Sequence, residues 1–327
     1  MEDVWKHGYG NGRQINWLFL GLARAAGVEA NCVFLASRNE YFFKPSSMNP
    51  GQLNADVVAV KINGKYSYFD PASRYAPFGL VTWDETGVNG LLLDKEGGSW
   101  ITTPLPESAD SQINRKAALR LMDDGTLQGK LTITYSGLEA LWRRIEERNE
   151  DDGNRKKFLE DQVKEYIPIG SEVELISKPD WSGSSNSLVA EYDLKVPGWA
   201  AGAGKRVLLP SALFTNTEKH LFEHAERTHP IYFTFPFKKT DDLTIELPLG
   251  WQASSLPKPT TLDSKVILYS SKSEDEKGVL HLQRQLDMQL MSLEVKYYPA
   301  LRNFFQNVRT ADEQQIVVQL GVPAASK

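Results

Sequence analysis

Residues 53–73 read LNADVVAVKINGKYSYFDPAS and residues 10–30 read GNGRQINWLFLGLARAAGVEA. In the first stretch two β-rich runs, VVAVKI and KYSYF, flank Asn63 and Gly64, a pair that favours a two-residue type I′ turn. The expected hairpin pairs Ile62 with Lys65, and counting outward places Ala55 opposite Ala72 and diagonal to Asp70. In the second stretch Ile15, Leu18, Phe19, Leu22 and Ala26 recur at helical spacing, with Asn11 as N-cap and Gly27 as the stop. An amphipathic helix, an apolar strand (ANCVFLAS, residues 30–37) and then a hairpin predict an α+β fold.

Downstream, the stretch around Gly98 to Ser111 turns rich in Gly, Pro, Ser and Thr, which puts a boundary near residue 105 between a domain at 1–105 and another at 106–327. The second domain opens with two strands joined at Asp124 and Gly125. A helical hairpin follows near 137–150, through Leu138, Leu141, Trp142 and Ile145, and near 154–167, through Phe158, Leu159, Val163 and Tyr166. Beyond Pro168 the runs SEVELIS, SLVAEYDLKV, PIYFTFPF, LTIEL, KVILYSS, GVLHLQRQLDM and LEVKYY read as strands of an antiparallel β-rich region. KPDWSGSSNS and PGWAAGAGK read as flexible connections, and PALRNFFQNVRTADEQQ as a helix before the apolar run IVVQL.

Composition narrows the function classes. With 37 Lys plus Arg against 42 Asp plus Glu, the net charge is -5, and no basic stripe interleaves with aromatics, so nucleic acid is not an expected partner. No apolar run is long enough to cross a bilayer as a helix. The single cysteine, Cys32, excludes an internal disulfide and a Cys-rich zinc site. No cofactor motif is present. The opening residues, MEDVWKHGYG, carry neither the basic nor the apolar region of a signal peptide.

Together the two stretches resemble the transglutaminase-like superfamily, whose papain-like core is α+β, and in particular bacterial proteins that carry an N-terminal β domain of unknown function before that core. The family's motif runs Gly-Asp-Cys-Lys-Asp, continues into a Leu-rich helix ending Leu-Arg-Ala-Ala-Gly-Ile, and is followed by Asn-His-Val and a hairpin closing on Asp-Pro-Thr. Here LARAAGV and YFDPAS fit that order and register, with looser likeness through TYSGLEALWRR, ERTHPIYF and ELPLGW. Such a site places a thiol at a helix N-terminus, where orphan N–H groups favour the thiolate, beside a His oriented by a carboxylate. The resemblance puts Gly12 at the nucleophile position and Ala55 at the base position, leaving Asp70 alone of the three. Glycine offers no nucleophile and alanine no base, which implies a catalytically degenerate site. With its partners gone, Asp70 before Pro71 reads as a turn residue first.

Two residues near these motifs carry groups of the missing types, Cys32 and His7. Cys32 sits on the strand after the helix and reads as a packing residue, while His7 beside Lys6 and Tyr9 reads as a surface residue in the preceding loop. Arg13, Gln14, Asn16 and Asn54 are expected to line a vacated cleft that binds a protein or peptide. His220, Glu223 and His224 spell H-x-x-E-H, in which two His one helical turn apart bind zinc and the Glu activates water, with Glu294 as a third ligand. That metallopeptidase reading, or an amide-processing enzyme with an unrecognised nucleophile, is the alternative to a non-catalytic binding protein or scaffold. The motif lies between β runs, with His229 nearby, and its likeness to the family falls instead on Arg227 and Pro230, so a polar surface is the expectation. The resemblance further implies a periplasmic or extracellular setting in a bacterium and a chain that is the C-terminal part of a longer polypeptide. Trp5, Trp17, Phe19 and Leu20 surround more of the helix than one core-facing stripe needs, so self-association through that face is expected.

Overall fold

The computed structural model describes residues 2–320 apart from Tyr41, Met48, Ser185 and Asn186. Two units emerge. The first runs to Asp110 and adds Ser136–Arg148 and Trp181–Ser187, and the second comprises Ser111–Tyr135, Asn149–Asp180 and the chain from Leu188 onward.

In the first unit a short helix α1 (Glu2–His7) precedes α2 (Gly12–Ala25). Asn11 caps α2 as its side chain accepts the Gln14 N–H at 2.9 Å, while Gln14 Oε1 accepts the Asn11 N–H at 2.9 Å. Gly27, at φ 80°, ends it. Five strands follow: β1 (Ala30–Leu35), β2 (Ala55–Ile62), β3 (Lys65–Phe69), β4 (Asn89–Asp94) and β5 (Gly97–Thr102). They form one antiparallel sheet in the order β3-β2-β1-β4-β5. Asn63 and Gly64 have φ of 52° and 80°, the two left-handed residues of a type I′ turn, and Ile62 pairs with Lys65 as expected. Phe19, Leu20 and Ala23 of α2 pack on Ala30, Val58 and Val60, and the opposite sheet face buries Val33, Leu35, Val57 and Leu92. Trp5 and Trp17 stay 69% and 43% exposed.

Several expectations need correction here. The β2–β3 ladder stops at Val58–Phe69, because Asp70 starts a turn closed by the Ser73 N–H on its carbonyl, so Ala55 pairs with Leu35 of β1 rather than with Ala72. Within the boundary stretch GGSWIT forms strand β5, and the second unit begins at Ser111. His7 ends a helix rather than sitting in a loop. The expected helical hairpin is also divided. Helix α3 (Leu138–Glu146) belongs to the first unit, where Leu138, Leu141 and Trp142 line a pocket with Trp83. Helix α4 (Asp152–Tyr166) belongs to the second and buries Leu159 and Val163.

The second unit contains β6 (Ser111–Leu121), β7 (Leu127–Gly137), β8 (Glu172–Leu175), β9 (Leu188–Val196), β10 (Ala201–Ala203), β11 (Arg206–Pro210), β12 (Ile231–Tyr232), β13 (Phe237–Glu246), β14 (Trp251–Ser255), β15 (Thr260–Asp263), β16 (Ile267–Asp275), β17 (Val279–Met288), β18 (Ser292–Leu293) and β19 (Gln315–Leu320). An eight-stranded sheet runs β15-β16-β17-β13-β6-β7-β9-β8, a four-stranded sheet runs β10-β11-β19-β14, and β12 pairs with β18. Alternation of buried and exposed residues along β6 and β9 gives the large sheet one apolar face. Helix α5 (Tyr298–Asp312) covers Ile267, Tyr269, Leu286 and Met288 with Leu301, Phe305 and Val308.

Here too the sequence reading needs amendment. The region is antiparallel β-rich as expected, with β6 and β13 as a parallel pair. PGWAAGAGK is half of the β10–β11 hairpin, not a free connection. PIYFTFPF is a two-residue strand plus the start of β13, since Pro230 and Pro236 cannot donate to a ladder. LEVKYY pairs only through β18 and then tightens into a 3-10 turn at Val295–Tyr297 that feeds α5. Among the described residues, no helix is long and apolar enough to cross a membrane.

Candidate functional site

The N-terminus of α2, the start of β2 and the turn after β3 converge on one cleft of about 540 Å³. Its lining includes Gly12, Arg13, Gln14, Asn16, Asn54, Ala55 and Asp70, together with Trp17, Asp56, Ala72 and Glu85. Local chemistry explains the convergence. Asn16 is buried on the sheet side of α2; its Nδ2 donates to the Asp56 carbonyl at 2.7 Å and to Asp70 Oδ1 at 3.0 Å, and its Oδ1 accepts the Ala72 N–H at 3.1 Å. One amide thus ties helix, strand and turn together. Asp70 Oδ1 also accepts the Ala72 N–H at 3.2 Å, so the carboxylate serves the turn as well as the cleft.

The position at which the family resemblance expects a nucleophile, Gly12, is sterically open. A Cβ added to Gly12 would meet the Ala72 Cβ at 3.5 Å, an ordinary contact. Arg13 donates through Nε to Asp56 Oδ1 at 3.0 Å and stacks 5.4 Å from the centre of the Phe34 ring. Gln14 is engaged in the helix cap. Asn54 accepts the Ser37 N–H and donates to Glu40, so both ends of its amide are held.

The carboxylates are poorly compensated. Burial, reinforced by the charge of Asp56 and opposed by the Asn16 and backbone hydrogen bonds, raises the Asp70 carboxyl above its usual range. Burial and the charges of Asp70 and Asp84 push Glu85 well above its own. Asp56 and Glu85 escaped the sequence reading. Asp56 carried a signal, as the acidic member of the otherwise apolar ADVVAV run, whereas Glu85 in the loop WDET carried none.

Of the residues considered as stand-ins, Cys32 lies beside the cleft residues Trp17, Asp56 and Arg13 but is not part of the lining. Cys32 is buried on β1, and burial first, then the charge of Asp56, push its thiol up. His7 lies outside the cleft lining and is exposed. The H-x-x-E-H stretch lies in turns and bends, not a helix, and Phe222 at φ 58° interrupts it. His220 Nδ1 sits 2.6 Å from Glu223 Oε1, both side chains exposed, and Glu294 pairs with Lys296 at 2.9 Å. The two His are therefore not placed one helical turn apart, and among the described residues no group of three His, Cys, Asp or Glu is disposed to hold a metal ion.

Comparison with known proteins bears on the fold. No curated protein matches the sequence. The crystal structure of a candidate protease from Parabacteroides distasonis superposes with a TM-score of 0.50 at 10% identity, over 98% of this chain and 46% of that one. The chain thus spans about half the length of that structure and is similar to it in fold. Residues 205–318, from the β10–β11 turn into β19, match the family described as a domain of unknown function with solved structure, DUF3858.

Proposed function

We propose that this chain is a non-catalytic, transglutaminase-like protein that binds a protein or peptide segment in the α2–β2 cleft, in an extracytoplasmic bacterial setting. The observation that carries the reading is the cleft lining itself. Gly12, Ala55 and Asp70 come together where the family resemblance expects nucleophile, base and orienting carboxylate, and two of the three lack the required functional group. The fold likeness to a candidate protease supports a peptide as the type of ligand such a cleft accommodates. Exposed Trp17 at the cleft, amphipathic and rigid, suits a recognition surface.

The test is a peptide-library binding screen on the protein and on Gly12→Phe, which fills the cleft from the helix end. Enrichment of peptides by the native protein and its loss in Gly12→Phe are expected, with no turnover of glutamine or peptide amides. Turnover abolished by Cys32→Ala, or binding indifferent to Gly12→Phe, would overturn the proposal.

A further inference from the structure

Resting on the peptide-binding reading, a second pocket beside the cleft narrows the ligand. On helix α3, Leu138, Leu141, Trp142 and Ile145 fall at i, i+3, i+4 and i+7, a single apolar stripe. Leu138 and Leu141 are buried, whereas Trp142 and Ile145 stay half-buried, and with Trp83 the four wall a pocket of about 290 Å³ within the first unit. Thr82, Trp83 and Asp84 face this pocket, while Glu85, the last residue of the 3-10 turn Trp83–Glu85, lines the α2–β2 cleft. Ser37 joins the two rims a second time: its N–H donates to Asn54 Oδ1 of the cleft at 2.9 Å, and its hydroxyl engages Asp84 and Asn39 of the pocket. Two hydrogen bonds and one residue therefore separate the rims, roughly 10 Å, which an extended chain spans in about three residues.

We infer that this pocket seats an uncharged aromatic or large aliphatic side chain of the bound peptide, about three residues along from the one in the cleft. Size sets the first limit, since about 290 Å³ lies at the small end of ligand pockets and holds one large side chain rather than a cofactor or an oligosaccharide. A cation is disfavoured because each indole already carries a guanidinium, Arg38 at 5.0 Å from the centre of the Trp83 ring and Arg143 at 5.2 Å from that of Trp142. Asp84 and Glu146 at the rim repel an anion. A sugar ring needs polar groups on the walls, whereas the walls here are leucine, isoleucine and indole, and the rim groups Asp84 and Asn39 already engage Ser37. An uncharged apolar group meets none of these objections, and an aromatic ring against indoles gains contacts beyond the area it buries.

A library of blocked hexapeptides, selected on the native protein and on Gly12→Phe, Trp142→Ala and Ile145→Lys, tests the assignment. Peptides enriched by the native protein should share Phe, Tyr, Trp or Leu at one position. In isothermal titration the best of them should bind Trp142→Ala and Ile145→Lys at least about tenfold more weakly, and replacing that one residue by Ala should weaken binding to the native protein as much. The Ala peptide should then no longer distinguish native protein from pocket variants. Should both variants fail to fold, the native protein alone decides: the indole N–H resonances of Trp83 and Trp142 should shift on addition of the aromatic peptide and stay in place with its Ala counterpart. Peptide binding that is lost in Gly12→Phe but shows no side-chain preference, an aromatic preference that survives both pocket variants, or unmoved Trp83 and Trp142 resonances would overturn the inference and leave peptide binding standing. A shared Lys or Arg at that position would overturn the choice of occupant. Binding of no peptide by the native protein would sink both readings.

Discussion

In the second unit Arg284 donates to Glu218 at 2.6 Å and to both oxygens of Asp312 at 2.7 and 2.8 Å, Lys239 donates to Glu218 at 2.9 Å, and Arg115 donates to Asp241 at 2.9 Å. All six side chains are largely buried, and cations match carboxylates one for one. In the first unit's cleft Arg13 stands alone against Asp56, Asp70 and Glu85. The contrast separates two uses of buried charge. Matched charge serves architecture: Arg115, Asp241 and Arg284 are direct cross-strand partners on β6, β13 and β17, so the network fixes the register of a parallel pairing between segments far apart in sequence. The cleft carboxylates are held mainly by hydrogen bonds instead, Asp70 accepting from Asn16 and the Ala72 N–H and Glu85 from the Thr82 N–H.

The largest expected effect breaks the matched network. Arg284→Ala takes from buried Asp312 its cation and leaves Glu218 with Lys239 alone, and should cost about 3–5 kcal/mol in chemical denaturation. In the cleft, Asp56→Asn removes a charge that is half compensated at best and should cost far less. A loss under about 1 kcal/mol for Arg284→Ala, within the range of an exposed pair, would erase the distinction.

Acid titration sharpens it further, since one carboxyl from each cluster, Glu218 and Glu85, shifts in the opposite direction to the other. Burial works to raise Glu218, but Lys239 and Arg284 outweigh it and hold the group at about 2 against an ordinary 4.5. Its depressed value means the unfolded chain binds the proton first, so Glu218 contributes stability above pH 4.5 that is lost as pH falls toward 2. Glu85 behaves in reverse. With its folded value well above 4.5, the native state holds the proton longer, and stability is lost as pH rises above 4.5. Thermal unfolding across pH should therefore show a decline above pH 4.5 that Glu85→Gln flattens; a decline unchanged in that variant would mean that Glu85 is not the group responsible.

A third, smaller effect concerns the electrostatic environment at the α2 N-terminus. Gly12→Cys combined with Ala55→His should yield a thiol whose pKa, read from alkylation rate against pH, falls at least about one unit below that of Gly12→Cys alone. An identical pKa in the two variants would mean that positions 12 and 55 do not face each other across the cleft.

Local signals made part of this legible. The capped helix, the Asn63–Gly64 turn and the Asp70–Pro71 turn are each written within a few residues, and they placed Gly12, Ala55 and Asp70 on elements that do converge. The reading failed where pairing is distant or weakly patterned. GGSWIT and AGA lack the branched apolar residues that mark strands, yet each is held by a partner strand. The parallel pairing of β6 with β13 joins segments separated by the whole of α3 to β12. Network members scattered from Arg115 to Asp312 share no spacing that could announce them.

The exposed pair His220–Glu223 supplies the floor of the comparison. Its 2.6 Å separation is as short as those in the buried network, but the side chains are 71% and 53% exposed, and Arg309 also lies 3.7 Å from the same carboxylate oxygen. If burial rather than proximity sets the weight of a charge pair, distance alone should count for little here, because water and salt screen the interaction. Hydrogen bonds from the Tyr298 hydroxyl to the His224 carbonyl and from Arg302 Nη2 to the Glu223 carbonyl tie this segment to α5 and end on backbone oxygens, which side-chain changes at 220, 223 or 224 leave in place. Glu223→Gln and His224→Ala should therefore each move the melting temperature by no more than about 2 °C, with no change in slope against salt. A drop as large as that of Arg284→Ala would show that this segment does structural work its exposure conceals, and would return the H-x-x-E-H residues to consideration as a site.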